Sequence, residues 1–414
     1  MRISHLFTKT TKNAPSDEVA KNAQLLIRAG YIYKEMAGVY TYLPLGKKVL
    51  QNITQIIREE MDAIGGNEIS LTALQSPETW QASGRWSDEV IDVWFKTKLA
   101  DGKDLGLAPT HEEPLTKLMK NYIHSYKDLP VYPYQFQIKF RNELRSKSGL
   151  MRGREFWMKD LYSFSRNQEE HDTFYEKISD AYVRVFDRLG LGEYTFKTFA
   201  SGGSFAKFSH EFQTVSPVGE DTIYIHREKN IAINEEVYTD EVLADLGVSK
   251  DELEEAKAVE VGNIFTLGTR FSDPLELNFT DEDGVSKPVV MGSYGIGPSR
   301  LMGLIAEHFA DDKGLVWPEN VAPAKVYLVS IGEGAAVEQA DRLYEQMTAA
   351  GIDVLYDDRD ERAGAKFADA ELLGIPYRVT VSDRLLEGGK FELTLRTNGQ
   401  TDLLTPEELL AKLS

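Results

Sequence analysis

The chain of 414 residues contains no cysteine, which excludes disulfides and thiolate zinc sites. Its 7 histidines show no paired ligand spacing of the HExxH kind, so no structural zinc is expected. Long apolar runs are missing as well: nothing approaches the roughly 18 to 20 residues needed to cross a bilayer. The N-terminus has no apolar signal-peptide core, so the expectation is a cytoplasmic protein with no membrane association. Arg2, Lys9 and Lys12 precede the first acidic residue, Asp17, which keeps a transit peptide as the alternative. Positive charge is scarce, with 47 Lys+Arg against 66 Asp+Glu and a formal net charge of -19. A field of that sign repels phosphate, so any contact with RNA has to come from a local basic patch. The sequence has neither internal repeats nor low-complexity tracts.

One such patch is present. KFRNELRSKSGLMRGR, from Lys139 to Arg154, carries Lys139, Arg141, Arg145, Lys147, Arg152 and Arg154 against one acid, Glu143. A solvated loop would give the same charge pattern.

Periodicity organises the rest. Ser16 is placed to cap a first helix, with Asp17 and Glu18 at its positive end, Val19, Ala23, Leu26 and Ile27 on its apolar face and Gly30 as its stop. A longer helix follows Pro44, with Val49, Ile53, Ile56, Ile57, Met61 and Ile64 at helical spacing before Gly65 and Gly66. Aromatic and β-branched stretches read as strands at Glu68 to Leu74, Tyr132 to Arg141 and Glu155 to Ser165, and further strands are expected around Tyr194, Ile223, Ile264, Leu275 and Val289. Between them, Gln168 to Leu189 reads as a helix with Phe174, Ile178, Ala181 and Val185 inward. The expected fold class is α+β, one large antiparallel sheet with helices on one face. The acid-rich stretch 232–259, including SKDELEEAKAVE, reads as a short polar helical excursion on the surface. After Pro318 and Pro323 the pattern becomes strand Val326 to Ser330, helix Ala335 to Ala349, strand Asp353 to Tyr356, helix Phe367 to Leu373 and strand Tyr377 to Val381, a small α/β domain.

Three constellations carry chemistry. In Pro109-Thr110-His111-Glu112-Glu113, Thr110 and Glu113 have capping-box spacing and need no further purpose. A hydroxyl and a carboxylate two residues apart, Thr110 and Glu112, also suit an ammonium or iminium group. In Phe140-Arg141-Asn142-Glu143, followed by Arg152-Gly153-Arg154-Glu155-Phe156, an arginine fork can bridge carboxylate and phosphate, Phe156 offers a face to a purine, and Glu143 can accept from an adenine amino group. Two strands joined by a basic hairpin would produce the same pattern. In Met291-Gly292-Ser293-Tyr294-Gly295-Ile296-Gly297-Pro298-Ser299-Arg300, a glycine-rich strand runs into a helix without the GxxxxGK[ST] phosphate-loop pattern. Its glycines would admit a nucleotide to the backbone, and Arg300 would reach phosphate.

In order and spacing these constellations resemble class II aminoacyl-tRNA synthetases, with FRxE…RxxxF as motif 2 and the glycine-rich strand and arginine as motif 3. The chain is similar to the bacterial prolyl-tRNA synthetases through MRISHLF, RAGYIYKEMAGVYTYLPLG, SGRW, PTHEE, YQFQIKFRNELR, MRGREFWMKDLYSF, SHEFQ, GNIFTLGT, MGSYGIGPSR, GLVWPENVAP and DDRDERAGAKFADAELLGIPYRVTVSDR. The resemblance begins at Met1 and leaves no spare leader.

It implies a catalytic domain over 1–320, an anticodon-binding domain over 324–414, and ATP-dependent loading of L-proline onto tRNA(Pro). Thr110 and Glu112 would hold the proline imino group, Arg141 its carboxylate and the α-phosphate, and His210 would line the pocket. Glu143, Arg152, Phe156, Gln213 and Arg300 would bind ATP, with Phe156 and Arg300 sandwiching the adenine, and Glu211 would bind Mg2+. Arg145 would contact the tRNA acceptor end. A homodimer is expected. The stretch 232–259 stands where many relatives carry an editing domain against mischarged alanine, so clearance would fall to a separate trans-editing protein. The sequence departs from the family at Thr72, where motif 1 usually has proline, at Phe205 and Ala206, where glycines are usual, and at Ser293, often cysteine. A synthetase-like RNA-binding protein without charging activity is the alternative from another class, and it would have lost the ATP or amino-acid residues that are present here. A threonine or histidine enzyme is the alternative within the class; the former typically needs a zinc site.

Overall fold

A computed structural model describes residues 1–146, 148–201 and 208–414. Lys147 of the basic loop, and Phe205 and Ala206 ahead of SHEFQ, lie outside the described residues. The chain forms two compact units that do not follow chain order: Met1–Ile53, Lys147–Arg152 and Met302–Ser414 make one, and Thr54–Ser146 with Gly153–Leu301 the other. No helix among the described residues is long and apolar enough to cross a membrane.

The first helix, α1 (Lys21–Arg28), starts later than the capping pattern predicts, and Ser16 does not cap it. Glu18 is drawn elsewhere: its carboxylate accepts from the Ala20 N–H, the Tyr40 hydroxyl and Lys34, which turns the chain before the helix begins. Val19 is consequently exposed at 71%, while Ala23 and Leu26 are buried. The longer α2 (Pro44–Ala63) follows its pattern, with Val49, Ile53, Ile56, Ile57 and Met61 buried, and Gly65 at φ +93° ends it in a conformation that favours glycine.

The predicted strand Glu68 to Leu74 is reduced to β1 (Asn67–Glu68) and an irregular segment, with Leu74 opening a two-residue strand, Leu74–Gln75, in a separate small sheet. Side-chain amides take the place of a ladder there, Gln135 accepting from the Leu71 N–H and Gln137 donating to the Leu71 carbonyl. After α3 (Glu112–Met119), β2 (Pro133–Phe140) and β3 (Glu155–Ser165) pair antiparallel and carry the basic hairpin between them. From Lys159 to Ser165, β3 is buried at every position, because α4 (Gln168–Arg188) covers one face with Phe174, Ile178, Ala181 and Val185. Asn167 caps α4 by accepting from the Glu170 N–H.

The sheet is completed by β4 (Thr195–Ser201), β5 (Phe208–Val215), β6 (Asp221–His226), β7 (Ile231–Asn234), β8 (Glu254–Gly268) and β9 (Val290–Ile296). The order of its nine strands is β5-β4-β7-β6-β8-β9-β3-β2-β1. Most pairs are antiparallel; β4–β7 and β1–β2 are parallel. An additional β5–β8 pairing closes the far end on itself. Leu275 is buried in a turn rather than a strand, with Glu276 at φ +53° and the Leu277 N–H bonded back to Ser272.

The acid-rich stretch also differs from expectation. Its helix, α5, is displaced to Asp240–Leu246, capped by Thr239 and ended by Gly247 in the left-handed region, and most of SKDELEEAKAVE enters β8. The period-2 pattern there, which buries Val259 and Val261, outweighs helix propensity. Its faces are not all polar: Ile233, Val237, Val242, Leu243 and Val248 form a small apolar cluster.

After α6 (Pro298–His308) the C-terminal region follows its predicted alternation: β10 (Val326–Ile331), α7 (Ala335–Ala349), β11 (Val354–Asp357), α8 (Ala363–Leu373) and β12 (Tyr377–Ser382). Two further strands, β13 (Phe391–Leu395) and β14 (Thr401–Leu404), and a terminal helix α9 (Pro406–Leu413) extend it. The sheet order is β11-β10-β12-β13-β14, with β11, β10 and β12 parallel. The whole architecture is α+β.

Candidate active site

The capping box expected of Thr110 and Glu113 is absent. His111 occupies the N-cap of α3 without a side-chain capping bond, and the Thr110 hydroxyl points to the Glu112 carboxylate at 2.7 Å. Glu113 turns into the interior, fully buried, where it accepts from Ser83 Oγ at 2.7 Å and Arg85 Nη1 at 3.0 Å. Burial, opposed by Arg85 and reinforced by Glu112, pushes the Glu113 carboxyl up to about 7. Arg85 also reaches Glu112 Oε2 at 3.4 Å. The Tyr162 hydroxyl accepts from the His111 N–H at 3.2 Å and donates to Glu112 at 3.4 Å, and Ser293 Oγ lies 3.5 Å from the same carboxylate.

Beneath Glu112 lies a buried chain of groups. His111 Nε2 bonds the Thr72 carbonyl at 3.0 Å, and His111 Nδ1 faces Lys139 Nζ. Lys139 pairs with Asp160 at 2.9 Å, and Gln135 donates to the other oxygen of Asp160. Burial, with Lys139 acting in the same sense, pushes His111 down to about 4, so the imidazole is neutral and accepts from the ammonium. This chain fixes the residues on either side of His111, namely Thr110 and Glu112.

These groups line a cleft of about 230 Å³, with Arg85, Thr110, Glu112, Arg141, Asp160 and Ser293 in its wall. Arg141 donates from Nε to the Pro109 carbonyl at 3.3 Å and lays its guanidinium over the Phe156 ring, 5.3 Å from the centroid. Arg300 Nη1 donates to the Glu260 carbonyl at 2.6 Å and lies 3.3 Å from the Glu260 carboxylate. Burial and the nearby Arg300 charge lower the Arg141 pKa from a value high enough that it stays cationic. The face of Phe156 assigned by resemblance to a purine is thus approached by Arg141.

On β5, Glu211 and Gln213 bond each other, Gln213 Nε2 donating to Glu211 at 3.0 Å and to Asp221 at 2.8 Å. Burial, followed by the Glu260 charge, pushes Glu211 up to about 8. Gln213, Glu211, Glu260 and Arg300 form one polar group. Among the described residues no cluster of three or more His, Cys, Asp or Glu is arranged to hold a metal. His210 points to Tyr175, its Nδ1 2.8 Å from the hydroxyl, and burial pushes it down to about 4. It is not in the cleft wall. The Glu143 carbonyl accepts from Arg154 Nε at 3.0 Å. Arg145 is exposed beside Leu144 in the connection that follows β2, and Arg152, also exposed, falls in the other compact unit.

Arg85, Tyr162, Asp160, Lys139 and Glu260 escape a reading by motif. Lys139 and Asp160 did leave a signal, since a charged residue inside an apolar strand has to find a buried partner.

The C-terminal sheet bears a second concavity of about 520 Å³ where β10 and β11 end, lined by Glu333, Glu338, Asp358, Arg359, Glu361 and Lys366 among others. Lys366 is buried and donates to the Ser330 carbonyl at 3.0 Å.

Comparison with known proteins accounts for both regions. Residues 95–309 match the family model "tRNA synthetase class II core domain (G, H, P, S and T)", and residues 325–414 match "Anticodon binding domain". Proline–tRNA ligases of Maricaulis maris and Rhodopseudomonas palustris are 39% and 38% identical over 443 aligned residues, covering 100% of this chain and 98% and 100% of theirs. Such coverage leaves no room in those relatives for a large domain that this chain lacks. The fold is that of the Giardia lamblia prolyl-tRNA synthetase in complex with prolyl-adenylate, with a TM-score of 0.78 at 19% identity over 93% of this chain and 74% of that one. The Cryptosporidium parvum prolyl-tRNA synthetase complexed with halofuginone and AMPPNP gives 0.77 at 18% identity over 94% and 75%. With two family models matched in sequence order and relatives aligned from end to end, the chain belongs to the bacterial-type, class II prolyl-tRNA synthetases.

Proposed function

We infer that the chain activates L-proline with ATP to prolyl-adenylate and transfers the prolyl group to the 3′ end of tRNA(Pro). The observation that carries this reading is the placement of Glu112, a carboxylate for a cationic imino group, and Arg141, a fork for carboxylate and phosphate, in one cleft. ATP–pyrophosphate exchange measured with each of the twenty amino acids tests it: exchange should depend on proline, and dependence on another amino acid instead would reject it. A non-catalytic RNA-binding reading has less support, since the groups needed for adenylate formation are present.

Thr110 and Glu112 hold the imino group, with Arg85 and Tyr162 fixing the carboxylate. Arg141 aligns the proline carboxylate with the α-phosphorus and offsets the charge that builds there. The carboxylate oxygen bonds to phosphorus as pyrophosphate leaves. The 3′-terminal ribose hydroxyl then attacks the mixed-anhydride carbonyl, and AMP departs. Glu143, Arg152, Phe156, Gln213 and Arg300 bind ATP. Glu211, beside Glu260, would hold Mg2+, since two carboxylates that repel each other suit a hard cation. When bound, the ion neutralises phosphate charge.

Residues 1–320 serve as the catalytic domain and 324–414 as the anticodon-binding domain. Arg145, exposed in the connection that follows β2, meets the acceptor end of the tRNA. The concavity after β10 and β11 takes unstacked anticodon bases: in open α/β sheets ligands settle beyond the carboxyl ends of the strands. Glu361 can accept from base amino groups, while Lys366 and Arg359 supply donors. The enzyme acts in the cytoplasm as a homodimer, and a separate protein clears alanyl-tRNA(Pro).

A further inference from the structure

The anticodon concavity is walled on one side by the short turn 358–362 between β11 and α8, in which every residue is charged: Asp358, Arg359, Asp360, Glu361 and Arg362. A turn of this composition needs partners to hold one shape. Part of its support comes from the opposite end of the chain. Both oxygens of Asp358 are occupied by Ser4, Oδ1 accepting the backbone N–H at 2.9 Å and Oδ2 the hydroxyl at 2.7 Å, with Arg2 Nη1 at 3.4 Å. Arg359 is clamped between Asp357 and Asp369, and the second oxygen of Asp369 accepts from Thr10 Oγ1 at 2.6 Å. The N-terminal segment is itself anchored: the Tyr356 N–H donates to the Met1 carbonyl at 2.8 Å, Arg2 pairs with Asp341 at 2.8 Å, and its guanidinium stacks over Tyr344 and Tyr356. Burial alone would raise the Asp358 carboxyl, yet the two Ser4 donors and Arg2 hold it below the usual carboxylate range, as expected for an occupied anion site.

We propose that the segment from Arg2 to Thr10 positions the anticodon-reading concavity, Ser4 acting through Asp358 and Thr10 through Asp369 and Arg359. The proposal rests on the reading of that concavity as the anticodon subsite. It makes Ser4 and Thr10 positioning residues for tRNA choice with no part in adenylate chemistry.

The test uses the full chain with Ser4→Ala and Thr10→Val combined, Thr10→Ser as the conservative control, and Glu361→Ala as a probe of the concavity itself. Three quantities are read: proline-dependent pyrophosphate exchange, KM and kcat for tRNA(Pro), and the kcat/KM ratio between tRNA(Pro) and the same tRNA with one anticodon base substituted. Loss of two hydrogen bonds behind the turn should raise the tRNA KM about tenfold and erode the ratio by a similar factor, with exchange and kcat within about twofold of the parent enzyme. Thr10→Ser should retain the parent values. If Glu361→Ala lowers discrimination and the Ser4/Thr10 variant does not, the anticodon reading stands and the proposal is overturned. If Glu361→Ala is also silent, the reading of the concavity falls and takes the proposal with it.

Discussion

The Thr110 hydroxyl donates to the Glu112 carboxylate at 2.7 Å, two residues along the chain. That bond removes Thr110 from the helix cap and leaves a carboxylate facing the cleft with its orientation set by Arg85 and Tyr162 as well. Glu112→Gln keeps the shape and removes the charge. The KM for proline in pyrophosphate exchange should rise about tenfold to a hundredfold, the range for losing a charge-assisted bond, with the KM for ATP little changed. An unaltered proline KM would remove Glu112 from its proposed role.

Arg141 has one face on Phe156 and its fork toward the cleft. Arg141→Ala should lower kcat for exchange by about a thousandfold, and Arg141→Lys should recover little, because a point charge cannot span two acceptors. Circular dichroism would confirm an intact fold. Activity of the lysine variant close to the parent enzyme would mean that charge alone is used.

Glu211 is pushed up to about 8 from an ordinary 4.5. Between those values the folded protein holds a proton that the unfolded chain has released, so this group's contribution to stability is present below about 4.5 and is lost as pH rises toward 8. Glu211→Gln cannot ionise. Its Tm should exceed that of the parent enzyme at pH 8.5 and match it more closely at pH 5, while adenylate formation falls. Equal Tm differences at the two pH values would show that Glu211 ionises normally.

Arg145 is exposed in the connection that follows β2 and is not in the cleft wall. Arg145→Ala should leave pyrophosphate exchange unchanged and raise the KM for tRNA(Pro). If it contacts one phosphate, the slope of log affinity against log salt should flatten by about one unit of charge. A steeper slope would place its effect elsewhere.

The stretch 232–259 encloses only a small apolar cluster. A pocket sized for proline discriminates against alanine by about 1 to 3 kcal/mol for each missing methylene. The enzyme should therefore activate alanine detectably and fail to release it from pre-charged Ala-tRNA(Pro). Hydrolysis above the spontaneous rate would reveal an editing site within this chain.

Elements whose apolar period matches one covered face were legible in sequence: α2, α4, α7 and β3 lie where their patterns place them. The misreadings share a cause, a local signal overruled by a distant partner. Ser16 lost its cap because Tyr40 and Lys34 hold Glu18, and SKDELEEAKAVE lost its helix because β6 and β5 pair with it. The motifs singled out Glu112 and Arg141, which line one cleft. Arg85 was hidden, since it acts through contacts with segments far apart in sequence, and Lys139 and Asp160 showed only as charges inside apolar strands, without their link to His111.

The strand Glu254–Gly268 pairs with three others, β6 along its first half, β9 along its second, and β5 across its middle. Opening it requires several ladders to part together, so its central amides, those flanking Glu260 and Asn263, should be among the last in the molecule to exchange with deuterium. Nucleotide binding then has little protection to add there. A deuterium-uptake footprint of ATP would show itself on the hairpin 141–146 and leave the strand that holds Arg300's partner silent.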